Sequence, residues 1–127
     1  MKTTDKIYDQ HRENTDALEK LSFYKDEITV MQSRIEEVAK SNSSKDVLAE
    51  VEHFQNQLIV QKNNIDMIRH DVNENERMLE DNVNKNKIAT DHRTVKDHST
   101  ERKEVDAFEK NFNELRQELN KFLTKWM

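Results

Sequence analysis

Three features of the sequence predict an all-α fold, an elongated antiparallel three-helix bundle with coiled-coil-like packing. The first is that glycine and proline are both absent, where average usage would supply roughly nine Gly and six Pro in a chain of this length. Sheet proteins need those residues for tight hairpins and bulges, whereas a few long helices joined by Asn/Ser turns can dispense with both. The second is that apolar residues recur every three or four positions through three long segments. The third is a hydrophobic content of 33% against 37% charged residues, which is too little apolar material for a thick core and suits a slender one.

The three segments make residues 1–127 a single helical domain with helices at about 5–40, 45–81 and 94–126. In the first helix Ile7, Leu18, Leu21, Tyr24, Ile28, Met31, Ile35 and Val38 form the stripe, with His11 and Asn14 in phase across the gap after Ile7. The stretch SNSSK, Ser41 to Lys45, supplies the first turn. Asn42 suits the left-handed position that closes a helix, Ser43 or Ser44 can cap the next one, and Ser43 with Asp46 reads as a capping box. The second helix repeats Val47, Val51, Phe54, Leu58, Ile65, Ile68, Val72 and Leu79, with Gln61 and Asn75 at in-phase positions.

DNVNKNK, Asp81 to Lys87, is Asn-rich and weakly apolar, so the second turn is expected within residues 82–94, with Thr90 or Thr94 capping the third helix. That helix carries Val95, Val105, Phe108, Phe112, Leu115, Leu119, Phe122 and Trp126, with His98 and Arg102 in phase. Short connections make sequential helices antiparallel, so the first and third run parallel. A turn centred near Asn42 brings together residues of the first two helices whose numbers sum to about 85. His11 then faces Glu74 and Asn75, and Lys25 faces Gln61 or reaches Glu114 or Glu118 of the third helix. Asn14, Lys25, Gln61, Asn75 and Asn82 are expected to fix register rather than bind ligand.

Composition also bounds function. No cysteine is present, which removes disulfides, thiolate metal sites and thiol catalysis. Phosphate loops and nucleophile elbows need glycine and have no counterpart here. Net charge is −5, with acids and bases mixed throughout, so nucleic-acid binding is not expected. The N-terminal MKTTDKIYDQHRE lacks an apolar core segment, and no apolar run has membrane-spanning length. No membrane association is expected, and the expected location is cytoplasmic.

The candidate chemical sites all rest on histidine. TDHRTVKDH, Thr90 to His98, holds two Asp-His pairs, yet on one helix His92 and His98 point about 240° apart and cannot chelate one ion. Asp91 and Asp97 read instead as carboxylates near a helix N-terminus, where the dipole favours negative charge. Glu50 and His53 match one Glu-x-x-His element of a di-metal bundle, but no second element exists. His70 and Glu74 are four apart on one helix, and His11, His70, His92 and His98 lie toward the same end of the expected bundle. His11, His70, Glu74, His92 and His98 are therefore the candidate metal ligands, and no cofactor is otherwise implied. Phe23, Leu123, Trp126 and Met127 exceed what a thin bundle covers and are candidates for contact with a protein partner or another copy of the chain.

LSFYKDEI (Leu21 to Ile28), VEHFQNQLIVQ (Val51 to Gln61), HDVNENE (His70 to Glu76) and FLTKWM (Phe122 to Met127) together resemble a family of small bacterial helical proteins of unassigned function. Spectrin-like repeats are similar in architecture alone. The resemblance implies a single cytoplasmic helical domain and carries no catalytic residue. The expected function is a non-enzymatic interaction or scaffold module, with metal binding at the histidine end as the alternative.

Overall fold

The computed structural model describes the backbone of residues 3–85 and 87–127 and the side chains of residues 7–81 and 102–127. Its elements are α1 (Thr3–Ser41), α2 (Lys45–Lys85) and α3 (Lys87–Trp126). They are 39, 41 and 40 residues long, each about 60 Å at 1.5 Å per residue. Each packs against both others, so the fold is an all-α three-helix bundle.

Cross-helix contacts establish the directions. Along α1 the bonded partners on α2 lie 65 residues away for His11, 61 for Asn14 and 41 for Lys25, a falling separation that makes the pair antiparallel. Between α1 and α3 the separation is constant at 89, for Glu13 with Arg102, Lys20 with Glu109 and Glu27 with Arg116, so these helices run parallel. Phe54 of α2 meets Phe122 near the far end of α3 with ring centroids 5.1 Å apart.

The expected α1/α2 register is close but displaced. Lys25 reaches Asp66, 3.0 Å away, and not Gln61, Glu114 or Glu118, while His11 meets Glu76 and not Glu74 or Asn75. The cause is side-chain direction: a helical side chain leans toward the N-terminus of its own helix. In an antiparallel pair both partners lean toward each other's higher numbers, so tips meet at numbers summing to about 87 to 91 instead of 85.

The turns also differ from expectation. No described residue has a positive φ, so Asn42 is not left-handed. It lies just past the end of α1, and its Nδ2 donates to the Val38 carbonyl, 2.9 Å away, satisfying one terminal acceptor with a side chain. The Ser44 carbonyl accepts from Leu48 N at 3.0 Å, so Ser44 is the cap residue of α2 and the Ser43–Asp46 box does not form. Asp46 instead lies in the first turn, where it complements the dipole. α2 ends at Lys85 and α3 starts at Lys87, inside the window of residues 82–94 expected for the second turn, though well before the expected helix start at 94. Thr90 and Thr94 lie inside the helix, and its first turn has no acid, so Asp91 and Asp97 are not the terminal carboxylates expected. An Asn/Lys-rich stretch without Gly or Pro contains no strong breaker, so helix extends as far as Lys85 on one side and begins again at Lys87 on the other.

One core cluster unites the stripes, from Leu21, Ile28, Met31, Ile35 and Val38 of α1 through Val51, Phe54, Leu58, Ile65 and Ile68 of α2 to Phe108, Phe112, Leu115, Leu119 and Phe122 of α3. Toward the N-terminal end of α1 the core turns polar, with Gln10, Asn14 and Asn75 all buried. Asn14 Nδ2 donates to Asn75 Oδ1 at 2.9 Å and to Glu76 Oε1 at 3.1 Å, and Glu76 also meets the His11 ring. Asn82 lies outside the described side chains. Gln61 interrupts the apolar run of α2, and its buried Oε1 lacks a partner among the described residues, as do Gln10 Oε1 and Asn75 Nδ2.

The Asn14–Asn75 bond is expected to behave as a coupled pair. Asn14→Ala should cost about 1–3 kcal/mol by removing the buried Asn75 amide's partner, Asn75→Ala less because Asn14 Nδ2 keeps Glu76, and the double Asn→Ala variant should cost less than the two single losses added. Urea unfolding of the single and double variants measures this; additive losses would show that the amides act independently.

Candidate functional site

The proposed metal ligands do not converge among the described residues. His11 is exposed and directed to Glu76. His70 is exposed, and Glu74 is paired along its own helix with Arg77. No group of three or more His, Cys, Asp or Glu is placed to hold an ion among the described residues. The side chains of His92 and His98 lie outside those described. Their backbone belongs to α3. Glu50 and His53 are both exposed on α2.

The four candidate contact residues separate. Leu123 is 8% exposed and belongs to the core cluster, and Trp126 is half-buried against it. Phe122 and Leu123 are both buried in the core cluster, Phe122 against the Phe54 ring. Phe23 and Met127 remain outward, 65% and 58% exposed. Val30, which lies one heptad after Phe23 on α1, is 52% exposed. Val30 and Met127 line a shallow groove with Thr29, Ser33, Arg34 and Glu37. This groove and the outward Phe23 form the candidate docking surface.

Two polar clusters escape sequence reading. Between α1 and α3, the Arg116 guanidinium forks onto Glu27, with Nη2 2.7 Å from Oε1, and donates to Asn113 Oδ1 at 2.7 Å. Its plane lies 5.0 Å from the Phe112 ring centroid and 5.7 Å from that of Tyr24. The Tyr24 hydroxyl donates to Glu109 Oε2 at 2.8 Å, and Lys20 approaches the other oxygen. Burial first, then the bond to Glu109, push the Tyr24 phenol above its ordinary value of 10.0, while the bonds to Glu27 hold Arg116 charged. The arrangement locks the α1/α3 register, because a fork of fixed geometry accepts one carboxylate position.

The second cluster faces the α2/α3 seam. Asp71 and Glu104 line one groove with Asn64, Met67, Ile68, Ala107, Phe108 and Asn111. Among the described residues, no cation and no residue of α1 lines this groove. Glu74 is held by Arg77 and Arg102 by Glu13, while His70 and Lys103 are exposed beside it. Burial, then the Asp71 charge, raise the Glu104 carboxyl above its ordinary 4.5.

A raised carboxyl binds its proton more tightly in the folded chain, so its stabilising contribution is complete below pH 4.5 and is lost as pH rises through the folded value. Glu104→Gln keeps a donor facing Asp71 at every pH. Denaturation midpoints at pH 4.5 and 7.5 should show the variant gaining on the parent as pH rises; an unchanged difference would remove the like-charge account.

No family model, no curated protein and no solved structure matches the chain.

Proposed function

We propose that the chain is a non-enzymatic helical interaction module that docks protein through the outward face of α1. The observation that carries this reading is the repetition of Phe23 and Val30 on one outward line, with Met127 from the end of α3 beside Val30. Large apolar side chains on a surface this rich in charge cost solvation unless something covers them, and aromatic residues anchor protein contacts. The bundle supplies a rigid platform for them: Tyr24, next to Phe23, is fixed by Phe108, Phe112 and Glu109. No described helix is long and apolar enough to cross a membrane.

The test compares what the parent and a Phe23→Ser/Val30→Ser variant retain when immobilised and exposed to a lysate of the cells that make the protein. Both substitutions are outward, so helical content and melting temperature should stay within the roughly 0.5 kcal/mol typical of surface changes. A discrete protein held by the parent and lost from the variant is the expected result. Identical sets retained by both would overturn the reading.

A further inference from the structure

We propose that the occupant of this face is a second copy of the same chain, with the two α1 helices antiparallel about a two-fold axis passing between Asp26 and Glu27. The proposal rests on the docking surface described above and names its partner. Phe23 and Val30 lie equally far from that axis, so Phe23 of each copy meets Val30 of the other. The groove bounded by Val30, Met127, Thr29, Ser33, Arg34 and Glu37 is then the receptor for the second copy's Phe23 ring, and symmetry makes the contact twice. A surface that holds both the protruding residue and the recess that receives it, on opposite sides of one axis, is the requirement for an isologous interface.

Charge complementarity supports the second copy. Glu19 lies one helical turn before Phe23, and Arg34 one turn after Val30; both are exposed. The same axis sets Glu19 of each copy level with Arg34 of the other, flanking the apolar contact at both ends. Glu27, beside the axis, is already neutralised by Arg116 within its own chain, which limits repulsion where the copies are nearest. Two pairings oppose the dimer, both between acids: exposed Asp26 comes level with Glu27 of the second copy beside the axis, and Asp16 with Glu37 toward each end. A small interface with repulsive layers beside the axis and at each end belongs to the weak, reversible class.

These placements make the register testable by charge exchange. Sedimentation velocity of the parent across a concentration series should show a reversible monomer–dimer equilibrium, and Phe23→Ser should leave a folded monomer. Glu19→Arg alone and Arg34→Glu alone should each weaken dimerisation about tenfold or more, while the double variant restores it by exchanging the two charges. Asp16→Lys should tighten the dimer, since it turns the outer repulsive layer into a pair with Glu37. A monomeric parent at the highest concentration overturns the self-association and leaves the docking face for another protein, which the lysate comparison reads separately. A dimer insensitive to Phe23→Ser, or a double exchange that fails to restore what the singles lose, overturns this register.

Discussion

Each helix of this chain carries an apolar stripe about two positions wide in every seven, and such a stripe leaves water only when two other helices close over it. Neither a lone helix nor a hairpin of two would cover residues such as Leu21, Leu58 and Phe112, all fully buried here. The low apolar content follows from the same constraint, since a bundle three helices across needs few core residues per turn. So do the three nearly equal helix lengths, because any overhang would leave part of a stripe uncovered.

A narrow, uniform stripe holds helices together but distinguishes poorly between registers one heptad apart, and here the polar contacts supply the distinction. Asn14 with Asn75 ties α1 to α2, and the Arg116 fork on Glu27 ties α1 to α3. Each is directional and each loses its partner when a helix slides. Among the described residues their placement also divides the molecule: the end near Phe54, Phe122 and Leu123 has an apolar core, while the end near Gln10, Asn14 and Asn75 has an amide core.

The fold was legible in the sequence because absence of Gly and Pro together with a repeated three-four spacing leaves one class of structure. Asn14, Gln61 and Asn75 were recognisable as buried because they fall in phase with neighbours such as Val51, Leu58 and Val72. The second turn was legible as a window, residues 82–94, but not in its limits, since Asn and Lys carry no strong stop signal and α3 starts as early as Lys87. The Tyr24–Glu109 and Arg116–Glu27 contacts were invisible for another reason: they depend on the offset between α1 and α3, which no local pattern encodes. The candidate contact residues were legible in part. Phe23 stands out as a large aromatic off the stripe, but Val30 looks ordinary until its exposure is known, and Leu123 proves to belong to the core cluster. The histidines do lie toward one end of the bundle, but sequence position does not give side-chain direction: His11 meets Glu76 and His70 is exposed.

The central claim is the directional arrangement, α1 parallel to α3 at a fixed offset, on which the core, the polar locks and the composite surface of α1 with Met127 all rest. Because the chain has no cysteine, spin labels can be placed without background at exposed Ser22 with Asn111, and at exposed Ser22 with Thr124, through Cys substitutions. To separate distances within a chain from those between copies, labelled protein is diluted into unlabelled. The offset sets Ser22 level with Asn111 and puts Thr124 roughly 20 Å further along the axis. Pulsed electron-resonance distances should be narrow in both pairs and shorter for Ser22 with Asn111. The opposite order, or a broad distribution in both, would contradict the arrangement.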